Sequence, residues 1–147
     1  MKTCGIITEY NPFHQGHIYH IKKTKELTQC DCLIAIVSNH FTQRGLFSLL
    51  TMQDKTKLAL EAGCNLVIEL PPCYAAQSAD YFAKYAVESL SQLHIDQICF
   101  GSETNNISTL KEYSKQMEST QVVPSLSMNQ NLYTKNIRPN DILGIQY

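Results

Sequence analysis

Gly5-Ile6-Ile7-Thr8-Glu9-Tyr10-Asn11-Pro12-Phe13-His14-Gln15-Gly16-His17 is the stretch on which the fold turns. Its first half is apolar and reads as a strand over Thr3 to Glu9. Its end runs into a helical pattern, Gly16 to Thr28, with Lys22, Lys23 and Lys25 around the exposed side. Two histidines therefore flank a glycine where a strand turns into a helix. A helix N-terminus offers free N–H groups and a partial positive charge, which suits an anion. Gly16 lets main chain approach such an anion closely. Imidazoles at positions 14 and 17 can donate hydrogen bonds to oxygens on which charge develops.

Outward from this turn, strands and helices alternate. Cys32 to Val37 is a continuous apolar run, as expected of a strand buried on both faces. A loop follows over Ser38 to Leu50, then a helix over Thr51 to Ala62 with Gly63 in the closing position. Asn65 to Leu70 reads as a third strand ended by Pro71-Pro72, and Ser78 to Leu93 as a helix with apolar residues at helical spacing. Ile95 to Phe100 is the fourth strand and Ile107 to Met117 a short helix. This order predicts an α/β fold, a parallel sheet with flanking helices and right-handed crossovers. Ligands of such sheets sit outside the carboxyl ends of the strands. Asn11 to His17, Ser38 to Gly45, Glu69 to Pro72 and Gly101 to Glu103 all fall there, so one composite site is expected.

A chain of 147 residues suits one domain with a core, and 44% hydrophobic against 17% charged residues excludes a disordered chain. A net charge of −1 gives no global case for nucleic-acid binding, so any RNA contact must be local. No apolar run approaches the roughly 18–20 residues of a membrane span, and no signal peptide opens the chain. The six cysteines, Cys4, Cys30, Cys32, Cys64, Cys73 and Cys99, are read as reduced and the protein as cytoplasmic. Cys30-Asp31-Cys32 lacks the spacing of a zinc pair, and no metal ligands are assigned. Residues 1–118 are read as the nucleotide-binding domain. Residues 119–147 read as a polar connecting segment and the beginning of a helix, capped by Asn140 or Asp141, in a C-terminally truncated chain.

His-x-Gly-His at a strand-to-helix turn is the pattern of the nucleotidyltransferases and class I tRNA synthetases. The wider match takes in Tyr19-His20, Phe41, Gln43-Arg44-Gly45, Leu66-Val67-Ile68-Glu69-Leu70-Pro71, Gln77-Ser78-Ala79, Phe100-Gly101-Ser102-Glu103 and Pro139-Asn140-Asp141-Ile142-Leu143-Gly144. Through these residues the chain resembles the bacterial tRNA(Met) cytidine acetate ligase family. The resemblance implies a Rossmann-like nucleotidyltransferase fold of the HIGH superfamily. It implies an ATP-dependent ligase that activates acetate as acetyl-adenylate and acetylates N4 of the wobble cytidine of elongator tRNA(Met). It implies His14 and His17 as catalytic residues. It implies ATP contacts along Ile7, Thr8, Glu9, Tyr10, Asn11, Pro12, Phe13, His14, Gln15, Gly16, His17, Ile18, Tyr19 and His20, with Gly101 and Asn140. Mg²⁺ is expected with the nucleotide, as ATP chemistry generally requires.

The chain departs from the family pattern at Asn39, at Leu46-Phe47 and at Met52-Gln53, and the later Ile-Ser-Ser…Arg segment of the family is not among these residues. ATP binding is therefore expected to be weak. Two alternatives stand beside this reading: a nucleotidyltransferase acting on a small phosphorylated metabolite, and a remnant that binds nucleotide without turnover. The sequence carries no indication of oligomeric state.

Overall fold

The computed structural model describes residues 1–118 and 139–147. The polar segment expected over 119–138 lies outside the described residues. The elements are β1 (Thr3–Thr8), α1 (Gln15–Thr28), β2 (Cys32–Ser38), α2 (Met52–Ala62), β3 (Leu66–Leu70), α3 (Pro72–Ala75), α4 (Ala79–Gln92), β4 (Gln97–Ile98), α5 (Ile107–Glu118) and α6 (Pro139–Gln146). They fall into two compact units, Met1–Phe100 and Gly101–Tyr147.

The first unit holds a four-stranded sheet in the order β3-β2-β1-β4, every pair parallel. Interior strands of such a sheet are apolar on both faces, and β2 is buried from Leu33 to Ser38. Because side chains alternate across a strand, Cys4 and Ile6 share one face with Leu33, Ala35 and Val37. Ile21 of α1 and Ala59 of α2 complete the core on that face. The opposite face meets α4. A Cβ added at Gly5 would lie 2.7 Å from both Leu90 methyls and 2.8 Å from Ile95 Cδ1. The sheet is thus sandwiched, with α1 and α2 on one side and α4 on the other.

Local chemistry sets the helix ends. Thr51 Oγ1 accepts from Asp54 N at 3.1 Å and starts α2, and Gly63, with φ +118°, ends it. Lys25 does not lie free on the solvated face: its Nζ donates to Gly63 O at 2.7 Å and ties α1 to the end of α2.

Three features differ from the expectations. The fourth strand is shorter than expected, Gln97–Ile98; at its start the Asp96 carboxylate, not a strand carbonyl, accepts from Thr3 N at 2.7 Å. Pro71-Pro72 ends β3 and also starts the short α3, Pro being suited to the first helical position. The Ser38–Leu50 segment contains a hairpin: Phe41 and Phe47 pair antiparallel, with ring centroids 4.9 Å apart, around a turn closed by Gly45 N to Thr42 O at 2.9 Å. Gly45 has φ +75°, which suits glycine at the tip.

Gly5→Ala forces Leu90 or Ile95 to move inside a closed layer. It should destabilise the fold by about 1–3 kcal/mol, read by urea unfolding. A change within about 0.5 kcal/mol, the scale of a neutral surface substitution, would show that the α4 layer repacks freely.

Candidate active site

The carboxyl end of β1 leads directly into the turn that carries both histidines. His14 is the N-cap of α1, with extended backbone (φ −147°). Its Nδ1 accepts from Gly16 N at 3.0 Å, and His17 Nδ1 accepts from His14 N at 3.2 Å. This is a capping box built from two imidazoles in place of the usual hydroxyl and carboxyl side chains. The rings stack with centroids 3.9 Å apart.

Two consequences follow for the chemistry. A neutral imidazole that accepts through Nδ1 carries its proton on Nε2. The reciprocal cap therefore leaves both histidines as Nε2–H donors at the positive end of a 14-residue helix. Burial, followed by the neighbouring His14 and His20, pushes the His17 pKa down from 6.5 to about 4. His17 is thus a neutral donor at pH 7, whose contact with an oxygen strengthens as negative charge builds there.

Tyr10 supports this pair from behind. Its backbone is left-handed, φ +50°, an uncommon conformation for an aromatic residue. Its ring is buried and packs edge-on against Phe13 at 4.8 Å and His17 at 4.9 Å. Gly16 is explained by a contact the sequence did not suggest: a Cβ there would sit 2.8 Å from His14 Cε1. The glycine makes room for the capping imidazole itself.

Of the other site residues expected from the sequence, Ile7 and Thr8 end β1, and Glu9 to Phe13 form the turn. Gln15, Gly16, Ile18, Tyr19 and His20 lie in the first two turns of α1. Thr8 Oγ1 is buried on the core face of β1, on the side of the buried Tyr10. His20 Nε2 is buried and unpartnered among the described residues, and burial lowers the pKa of its ring. Tyr19 is exposed.

The hairpin is stitched to this turn. Gln43 N donates to Glu9 Oε1, and Leu49 N donates to Asn11 Oδ1 at 2.7 Å. At the ends of β2 and β3, Asn39 Nδ2 donates to Glu69 Oε1 at 2.6 Å. Beneath them lies a residue that sequence reasoning passed over. Lys55 is fully buried, and its Nζ donates to Ser38 O at 2.8 Å and Asn39 O at 3.1 Å. Burial lowers its pKa while the Glu9 charge opposes that shift. Arg44 sits exposed at the hairpin tip.

Gly101 and Asn140 belong to the second unit. Asn140 lies in the first turn of α6, and its side chain is outside the described residues. Its neighbour Asp141 organises this unit. It is 1% exposed, and its Oδ1 accepts from Ser102 Oγ at 2.6 Å, from Thr104 N at 3.2 Å and from Thr104 Oγ1 at 3.2 Å. Its own N–H donates to Glu103 at 3.1 Å. The Gly-Ser-Glu turn and the start of α6 are thereby one structure.

Among the described residues no group of three or more His, Cys, Asp or Glu side chains could hold a metal. No helix among them is long and apolar enough to cross a membrane.

Parallel strands ending in a histidine-capped helix describe a nucleotidyltransferase, and sequence comparison agrees. The sequence profile of the HIGH Nucleotidyl Transferase family matches residues 1–147, and the chain belongs to that family. Within it, the chain is similar to proteins named tRNA(Met) cytidine acetate ligase. It is 50% identical over 115 residues to the one from Geobacillus sp. (strain WCH70), a match covering 78% of this chain and 29% of the relative. It is 41% identical over 172 residues to that of Clostridium novyi (strain NT), covering 100% of this chain and 43% of the relative. The chain thus spans less than half the length of these relatives. Its structure is similar to that of Thermotoga maritima TmcAL crystallised with alpha-thio ATP, with TM-score 0.83 and 30% identity over 100% of this chain and 42% of that one. The lipopolysaccharide core biosynthesis protein of Thermoplasma volcanium, with TM-score 0.54 at 17% identity over 81% of this chain and 88% of that one, shares the fold alone.

Two outcomes are expected. Because the folded-state pKa of His17 is depressed, the unfolded chain takes up this proton first as pH falls. Its contribution to stability is complete above pH 6.5 and is lost as pH falls toward about 4. His17→Gln should flatten that part of the decline in urea midpoints between pH 7 and 4.5, leaving the part due to His20. An unchanged decline would show that His17 is as accessible to protons when folded as when unfolded.

Asp141→Ala leaves the Ser102 and Thr104 donors without their acceptor; Ser102 is half-buried and Thr104 exposed, so solvent replaces part of the contact and the loss should be about 0.5–1.5 kcal/mol. Hydrogen exchange at the Thr104 amide should accelerate by a comparable factor. Unaltered protection there would place the organising contact elsewhere.

Proposed function

We propose that this chain is the ATP-activating part of a tRNA(Met) cytidine acetate ligase. The observation that carries the reading is the reciprocal His14–His17 cap, which sets two Nε2–H donors at the N-terminus of α1. The names of the relatives and the alpha-thio ATP in the TmcAL crystal structure support it.

In this reading a carboxylate oxygen of acetate attacks the α-phosphorus of ATP. The bond to the bridging oxygen breaks, pyrophosphate leaves with that electron pair, and acetyl-adenylate remains. The cytidine N4 amine then attacks the acetyl carbonyl, AMP departs, and N4 loses a proton. His14 and His17 donate to the α-phosphate oxygens as charge accumulates there, so they act on the transition state more than on bound ATP. Main chain from Ile7 to His20 lines the phosphates. Gly101 takes the adenine side, and Asn140 is a further ATP contact. Residues 1–118 are the nucleotide-binding domain, and the reaction is a cytoplasmic one, where tRNA and ATP meet. Mg²⁺ would enter on the ATP phosphates, because the described residues contain no cage for it.

The test is acetate-dependent ATP–pyrophosphate exchange. Loss of one transition-state donor typically costs about 10²–10³ in rate, so His17→Ala should lower exchange by that factor with a smaller change in ATP affinity. Lys23, exposed and paired with Glu26 at 2.8 Å, should be dispensable for exchange. Exchange that ignores acetate, or a His17→Ala rate within about threefold of the parent against those decades, overturns the assignment.

A further inference from the structure

A cavity of about 880 Å³ opens between the hairpin and α2, at the carboxyl ends of β2 and β3. None of the chemistry above uses it. Its polar end is Glu69, which Asn39 engages through one carboxylate oxygen only. Asn39 is itself fixed from below, because buried Lys55 holds its carbonyl at 3.1 Å. The walls are apolar: Phe47, Leu49, Leu60 and Met52 all line the cavity. Phe47 is 78% and Leu49 74% exposed, an unusual state for a large aromatic beside a large aliphatic residue on one wall. The same wall is hydrogen-bonded to the turn that carries the histidines, through Leu49 N to Asn11 Oδ1. The cavity therefore lies beside the proposed site of adenylate chemistry, within one unit.

These groups select a ligand class. Apolar walls with an aromatic face suit a flat, stackable ring, and a carboxylate at the end suits a ring that presents N–H donors. Charge does not select a phosphate, because Lys57 and Glu61 both line the cavity and offset each other. The volume, within the usual range of about 300–1,000 Å³ for small-ligand pockets, admits a nucleoside.

We propose that this cavity is the acceptor pocket, receiving an unstacked base with an exocyclic amine, so that the base stacks on Phe47 and its amine donates to Glu69. The inference rests on the reading of the chain as a cytidine-acylating enzyme for the choice of cytosine. The pocket chemistry itself requires only an amine-bearing base. Uracil presents a carbonyl oxygen in place of the amine, and that oxygen would face the Glu69 carboxylate.

The experiment is fluorescence anisotropy with this chain and labelled seven-nucleotide RNAs of uridine, carrying cytidine, adenosine or uridine at the centre. The cytidine probe should bind about tenfold tighter than the all-uridine probe, equivalent to one good base contact. Glu69→Gln can donate as well as accept, and should reduce that ratio below about threefold. Phe47→Ala should weaken every probe by about tenfold, the cost of one lost stacking platform. The salt dependence should be shallow, because few phosphates are neutralised. Equal binding of cytidine and uridine probes, or insensitivity to both substitutions, overturns the pocket. Competitive displacement of the cytidine probe by ATP also overturns it, since the adenine of ATP would then occupy the site. Discrimination between cytidine and uridine in a chain without acetate-dependent exchange would leave the pocket standing and remove the proposed activity instead.

Discussion

The mutual cap of His14 and His17 is the contact on which the rest of the site depends. Each Nδ1 accepts a main-chain N–H at the start of α1, so holding the helix and setting the tautomer are one act. A serine or aspartate would cap as well but would leave no second donor on the far side of the ring. Around this contact the other choices become necessary. Gly16 leaves room for the His14 ring, Tyr10 takes a left-handed backbone to place its ring under His17, and β1 delivers the turn to the edge of the sheet.

A second layer of fixing comes from the neighbouring strand ends. The hairpin is held to Glu9 and Asn11 of the turn, and Lys55 holds the carbonyls at the end of β2. A buried lysine without a carboxylate at bonding distance is costly to desolvate. It is tolerated here because two carbonyl dipoles converge on it. Two strand ends are thereby held by side chain–main chain bonds, and the Asn39–Glu69 side-chain bond adds the end of β3.

Much of this could be read from the residues. The apolar run Cys32 to Val37, the glycine after α2 and the histidines at the first turn each obey a local rule, and the structure follows them. What escaped was decided at long range. Lys55 reads as one more charge on an amphipathic helix, and its burial depends on carbonyls 16 and 17 residues away. The hairpin carries no Asn-Gly or Asp-Gly turn, so pairing of Phe41 with Phe47 had no short-range signal. Asp141 looked like a helix cap, and its role appears only when residues 102 to 104 fold onto it. Gly16 reads as room for a ligand, and the structure adds a second reason that no local rule supplies: the atom nearest to its missing Cβ is on His14.

Lys55 has a further consequence, in covalent labelling. Among the described residues it is the only buried lysine, so an amine-reactive reagent reaches it only when the seam between α2 and β2 opens. Its modification rate, measured against the exposed lysines of the same chain, is therefore a clock for one local opening, read out by mass spectrometry without any engineered probe.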